Sequence, residues 1–352
     1  MVVLAWGHSH RATGDPELIG WGADVARVEG SVVASEAAQA DELEVAFVRP
    51  GSAAAGGGAR KRIRVNGVAR RAGALGNHLR AVLFGPEDML LVVGPPTIRR
   101  SAVDRLASSL WPAYGEALAR YGRALQQRNS LLRLIREEGA TREDLRYWDE
   151  PFLEAGSAVV SSRHRLLDEL AGPLAAAHAE IAPDEAADAP LQLRYVSNSS
   201  PVGAETAREA LARRLAETAD KEAWNGSTLV GPHRDDVAFT LAGRDLAGFA
   251  SRGQQRTAIL ALTLAQLDTL AARDGRPPLL LLDDVFSELD PIRRSHLVRR
   301  IAELPQAFVT TTTLADLDPA LLAVAATWEV RAGEAGARLI ADAADPAEEP
   351  GR

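Results

Sequence analysis

Residues 279 to 290 read Leu-Leu-Leu-Leu-Asp-Asp-Val-Phe-Ser-Glu-Leu-Asp, an unbroken apolar run that ends in two adjacent carboxylates. Carboxylates so placed can do two jobs. One can hold Mg²⁺, usually through water, because that ion takes oxygen ligands and keeps much of its hydration shell. The other can orient or deprotonate an attacking water. Asp283 fits the first role; Asp284, pointing the other way along the pleat, fits the second. A strand that ends in Asp-Asp before a helix also fits a plain helix cap, so the pair alone leaves both readings open.

A second cluster lies one helix upstream. Phe249-Ala-Ser-Arg-Gly-Gln-Gln-Arg256 leads into the apolar stretch 257–270. A helix that starts here has unpaired N–H groups and a partial positive charge at its N-terminus, which suits an anion such as phosphate. Ser251, the Gly253 backbone and Gln254 would make the contacts, with Gln255 beside them. Serine also begins many helices only as a cap. The separation of this cluster from Asp283 by a single helix gives the phosphate reading its weight.

These groups need a scaffold. The run 279–283, flanked by Pro277, Pro278 and Pro291, predicts a strand buried on both faces, with its carboxylates at the C-terminal edge where open α/β sheets bind ligands. Residues 291–302 predict a helix, and 307–312 a strand that runs into four threonines, with Thr310 and Thr311 as candidate hydroxyl contacts. Tyr114, Leu118, Tyr121, Leu125, Leu132 and Ile135 recur at helical spacing, as do Trp148, Phe152, Val159, Leu166 and Leu170. A break at 139–141 folds the two helices back as an antiparallel pair, and the tyrosine stripe reads as core. Strands are expected at 191–196 and 237–241, with a surface helix at 204–220. Gly231-Pro-His-Arg-Asp-Asp236 is expected between strands as a charged turn, in which an arginine–carboxylate network is at least as good a reading as catalysis.

The order of the Ser251 helix start, the Asp283 strand and Ser287-Glu-Leu-Asp290 resembles the signature, Walker B and D-loop segments of the ABC/SMC class of ATPases. Gly231-Pro-His-Arg-Asp-Asp236 resembles one of two signature segments of the RecF family. The other is the stretch Pro86 to Asp104, with Pro86, Glu87, Asp88, Arg99 and Arg100. The opening His8-Ser-His-Arg-Ala-Thr13 is similar to the same family. The resemblance implies an α/β fold: an ABC/SMC-type ATPase head with a short antiparallel helical arm. The expected division is head at 1–100, arm lobe at 101–220, head again at 221–340, and a disordered tail at 341–352. It further implies ATP and Mg²⁺ as cofactors, with Ser251, Gly253, Gln254, Gln255 and Asp290 at the phosphates, Thr310 or Thr311 near the γ-phosphate, and Asp283 on the metal. The activity implied is slow ATP hydrolysis in a DNA replication and repair protein of the bacterial cytoplasm. Such a protein forms a homodimer on ATP, binds single-stranded or gapped DNA, works with recombination mediator proteins, and assists recombinase loading and the SOS response.

One departure is large. No Gly-x-x-x-x-Gly-Lys-Ser/Thr occurs in the 352 residues, and Gly51-Ser-Ala-Ala-Ala-Gly-Gly-Gly-Ala-Arg-Lys61 reads better as a flexible hairpin loop. Met1 to Trp6 are therefore expected to be the end of the phosphate-loop helix of a chain that begins upstream, and without that loop the 352 residues given are expected neither to hydrolyse ATP nor to close on it. The alternative is a nucleotide-free DNA-binding or scaffold protein of the same fold. A transporter ATPase subunit ranks behind both.

Composition agrees with a globular protein: 46% hydrophobic and 25% charged, with no stretch near the roughly 20 apolar residues of a spanning helix. Zero cysteines exclude disulfides and cysteine-ligated metals. The net charge of -8 confines nucleic-acid contact to local patches. The segment 60–71 is such a patch, with Lys61, Arg62, Arg64, Arg70 and Arg71 around Asn66-Gly67 in a hairpin pattern. Its outer face suits a phosphate backbone and suits solvent equally well.

Overall fold

The protein was analysed as a computed structural model, which describes residues 1–33, 39–52, 61–186, 190–333 and 336–341. Most of the glycine-rich stretch after Gly51, and the expected tail beyond residue 341, lie outside the described residues. A short helix, α1 (Val2–Trp6), ends at Gly7 in the left-handed conformation. Four antiparallel strands follow: β1 (Val25–Val32), β2 (Asp41–Val48), β3 (Lys61–Val65) and β4 (Val68–Ala69). Asn66 and Gly67 close β3 on β4 with φ of 51° and 76°, the pair of positive angles that a two-residue hairpin turn asks for.

After β5 (Ala81–Phe84) the chain turns helical through α2 (Leu90–Val93), α3 (Pro96–Leu110), α4 (Pro112–Arg136), α5 (Arg146–Ile181) and α6 (Pro183–Ala186). Tyr114, Tyr121 and Leu132 of α4 are buried, as are Phe152, Val159, Leu166 and Leu170 of α5, so the two apolar stripes pack as their spacing predicts. A second antiparallel sheet contains β6 (Leu191–Val196) and, after α7 (Ala207–Asn225), β7 (Asp236–Leu241) and β8 (Arg244–Asp245). The Gly231 turn was expected between strands; it follows α7 instead and has a strand only on its far side.

The last part holds α8 (Leu246–Phe249), α9 (Arg252–Asp274), β9 (Leu279–Asp283), α10 (Pro291–Ala302), β10 (Ala307–Thr310), α11 (Pro319–Leu322), β11 (Trp328–Gly333) and β12 (Gly336–Ala341). A three-stranded parallel sheet, ordered β10-β9-β5, lies at the centre. Alternation sorts its side chains between two cores. Leu279 and Leu281 pack with Ala5 of α1, while Leu280 and Leu282 join Ile259 and Leu262 of α9. The same core continues into α4 and α5, so the helical pair is anchored against the central sheet and α9. β10 ends at Thr310, two residues short of the expected end, because Thr311 bonds within its own turn. Among the described residues, no helix is long and apolar enough to cross a membrane.

Candidate functional site

The central strand β9 delivers Asp283 to the C-terminal edge of the parallel sheet, opposite Thr310 of β10. The Thr310 hydroxyl donates to one Asp283 oxygen at 2.5 Å, and Arg11 ion-pairs with the other. Arg11 also lies 3.7 Å from Glu87, so its guanidinium joins two carboxylates. Thr311 does not reach this cluster: its hydroxyl donates to the Thr313 carbonyl at 2.9 Å. Asp284 departs from the expected pleat alternation. The strand stops at Asp283, and Asp284 takes φ 52°, rare for a non-glycine residue. Its N–H donates to the Thr310 carbonyl at 3.1 Å, while Oδ1 of its side chain is buried with no hydrogen-bond partner among the described residues. A buried carboxylate oxygen left bare carries a desolvation cost that a cation or an ordered water would relieve.

At the start of α9, Ser251 and Gln254 cap each other reciprocally. The serine hydroxyl accepts from the Gln254 N–H at 3.2 Å, and the glutamine carbonyl oxygen accepts from the Ser251 N–H at 3.0 Å. Gln255 turns inward and donates to the Ala250 carbonyl at 3.2 Å, so Ser251, Gly253 and Gln254 form the open end. Asp290 caps α10, accepting from the N–H groups of Ile292 and Arg293 at 3.0 Å each. The capping role that was open for the Asp-Asp pair falls on Asp290.

The two separated segments 86–104 and 231–236 meet. Arg99 grips Asp236 with two bonds of 2.7 Å and also donates to the Gly94 carbonyl. Arg100 donates to the Asp235 backbone carbonyl at 2.7 Å. Beneath them Arg163 of α5, with 3% of its side chain exposed, clasps Asp104 through Nε and Nη2 and donates to the Pro232 carbonyl at 2.8 Å. Tyr195 and Ser197 each donate to the Asp235 carboxylate at 2.7 Å. Burial pushes the Asp235 carboxyl up, an effect that these two hydroxyls counter. Burial also lowers His233 to about 4, helped by Arg234, Arg100 and Arg128 and opposed by the Thr228 carbonyl. With Nε2 facing that carbonyl at 3.3 Å, the neutral ring accepts at Nδ1 from the Tyr121 hydroxyl at 2.6 Å. His233 is thus tied at both nitrogens and holds the turn in place. Gly231 has φ 117°, and a Cβ there would lie 2.7 Å from the Tyr121 hydroxyl, so no side chain fits. Pro86, Glu87 and Asp88 form a short 3-10 turn, in which Asp88 accepts from the Gly85 N–H at 2.8 Å.

The basic hairpin is partly neutralised. Lys61 lies 3.0 Å from Asp15, and Arg64 3.8 Å from Glu44, its cross-strand neighbour on β2. Arg62, Arg70 and Arg71 complete the cationic side, all three exposed.

Arg163 and Arg128 carry no motif, yet both stand at core spacing, the first among Val159, Leu166 and Leu170 and the second among Tyr121, Leu125 and Leu132. A charge inside an apolar stripe is the signal of a buried network. Arg128 confirms it, bound to Asp149, to Thr228 and to Glu222, a carboxylate with no exposure.

No family model matches the chain. Curated relatives do. The DNA replication and repair protein RecF of Symbiobacterium thermophilum is 38% identical over 320 residues, covering 89% of this chain and 81% of the relative. RecF of Geobacillus sp. is 34% identical over 345 residues, covering 96% and 88%. Among solved structures, the recombination mediator protein RecF with ATP, in the RecFOR pathway, superposes with a TM-score of 0.77 at 30% identity, covering 89% of this chain and 81% of that one. The structure determined with ATPrS gives a TM-score of 0.76. The fold is the mixed α/β fold of these RecF structures. By sequence and by fold, the chain belongs to the RecF family of DNA replication and repair proteins.

Proposed function

We propose that this chain is an ATP-gated DNA-binding protein that closes as a homodimer, with Asp283 and Asp284 on the metal side of the nucleotide and the start of α9 reaching the phosphates of the opposite subunit. The observation that carries the reading is the Asp283–Thr310–Asp284 arrangement at the edge of the parallel sheet, with a bare buried oxygen on Asp284. These residues fit Mg²⁺. Among the described residues no group of three or more protein ligands could hold a metal alone, and Mg²⁺ is commonly held by one or two carboxylates together with substrate phosphates and water. Bound there, the ion would neutralise charge that develops on the transferred phosphate. Asp283 would give up Arg11 to accept it. Asp284 positions a water or takes its proton, Thr310 fixes the Asp283 carboxylate, and Ser251 with the Gly253 N–H receives an anion at the α9 terminus. Asp290 sets the first turn of α10.

The Gly-Lys loop that cradles β- and γ-phosphates is not among these 352 residues, so no role is assigned to it. The biological setting we infer is DNA repair in the bacterial cytoplasm, on single-stranded or gapped DNA, with recombination mediator proteins, recombinase loading and the SOS response downstream. Sedimentation of the protein purified from its own cells, with and without ATP and Mg²⁺, tests the gating. A shift from monomer to dimer that requires both supports it, and Asp283→Asn should abolish the shift. A second reading, nucleotide-independent DNA binding, is favoured by the Arg11 ion pair, which satisfies Asp283 from within the chain. Salt-sensitive DNA binding with no response to ATP would put that reading in place of the first.

A further inference from the structure

Away from Asp283, one arginine is shared by three parts of the molecule. Arg293, in the first turn of α10, places Nη1 3.0 Å from the Asp290 carboxylate and donates from Nη2 to Glu185 of α6. The same Nη1 would lie 3.5 Å from a Cβ built on Gly253, at the open start of α9. Glu185 in turn stands 3.6 Å from Nε2 of His178, which is near the C-terminal end of α5 and only 1% exposed. The other ring nitrogen of His178 is buried without a hydrogen-bond partner among the described residues, as is the Glu185 oxygen that faces the ring. Asp290, Arg293, Glu185 and His178 therefore form one line of charged and polar groups. It runs from the end of the long helix α5 to the phosphate-facing terminus of α9.

We propose that Arg293 is a positioning residue that reports the arrival of an anion at the α9 terminus to the end of α5, through Glu185 and His178. This rests on the reading that the α9 terminus receives phosphate. A guanidinium offers several donors in a fixed fork, and here the fork is held by two carboxylates. An anion at Ser251 and Gly253 enters the reach of that fork and competes for it. When Arg293 turns toward the anion, Glu185 loses its cation and His178 is left as the nearest group that can supply one. Glu185 from α6 and Arg293 from α10 are the charged groups facing His178, and they act in opposite senses. Burial lowers its basicity first, Glu185 raises it and Arg293 lowers it. Departure of Arg293 therefore favours the protonated ring. Coupling of this kind is reciprocal, so protonation of His178 would in turn strengthen anion binding at α9.

The test follows the ring resonances of His178 by NMR in the full chain, assigned with His178→Gln and titrated in chloride and in inorganic phosphate of equal ionic strength. The expected result is an upward shift of the His178 midpoint by phosphate. Arg293→Met should start from the raised midpoint and no longer respond, Glu185→Gln should lie below wild type, and Arg293→Lys should recover part of the response. A His178 midpoint unmoved by phosphate, while the Ser251 and Gly253 amides shift, overturns the relay and leaves the phosphate-receiving role of α9 standing. Silence at both places removes that role as well. An equal phosphate response in wild type and Arg293→Met shows that Arg293 is not the link.

Discussion

Arg163 is a full charge set in the apolar stripe of α5, held by Asp104, Tyr114, Tyr195 and the Pro232 carbonyl. Taking one partner from a buried ion pair costs about 3–5 kcal/mol, because the other is left charged and unpaired. Arg163→Ala should lower unfolding stability by that amount in urea titration. Arg163→Met should recover little, since Asp104 remains. His233 adds a dependence on pH. Its basicity is lowered to about 4 in the fold from an ordinary value of 6.5, so the folded state resists the proton. The stability this contributes is complete above about 6.5 and is lost as pH falls toward 4, by about 3 kcal/mol in all. His233→Gln should flatten the stability profile in that window. Asp283 was legible because a strand-end carboxylate is a local pattern. The partners of Arg163 were not, because Asp104 and Pro232 lie 59 and 69 residues away and no local period links them.

The elements divide their work between capping and the proposed function, and Ser251 is assigned to both. Removing a helix N-cap costs about 1 kcal/mol, whereas aspartate caps as well as serine does. Ser251→Ala should therefore lose about 1 kcal/mol of stability in urea titration. Ser251→Asp should keep it and yet lose ATP-dependent association in sedimentation, because a carboxylate at this terminus repels phosphate. If both variants associate normally, the terminus is a cap only. The helices, the Asn66-Gly67 hairpin and β9 followed from periodicity and turn chemistry. The backbone at Asp284 did not, because a non-glycine residue with positive φ is fixed by its surroundings, here the Thr310 carbonyl, and leaves no mark in residue type. The Gly231 turn was misplaced for a similar reason: its meaning lies in the Tyr121 hydroxyl packed against it, 110 positions earlier in the chain.

At the scale of the molecule, the fold class and the family were carried by the spacing of a few motifs, and the homodimer is an implication of that family alone. Contacts between chains add no period to either sequence. The central parallel sheet and the β11–β12 ribbon also differ in how firmly the rest of the chain holds them. β9 is paired on both edges and covered on both faces, by α1 and α9. Among the described residues the β11–β12 ribbon pairs only with itself, and every residue of its two strands is exposed, with Trp328, Val330 and Leu339 among them. A two-stranded hairpin alone in water is at best marginally stable. Its amides should accordingly trade hydrogen for deuterium by local opening, at a rate indifferent to denaturant, while those of Leu280 and Leu281 exchange only when the whole core unfolds. A protease added under native conditions should make its first cuts between Trp328 and Ala341 and leave β9 intact. A binding partner that covers the ribbon would announce itself by slowing both.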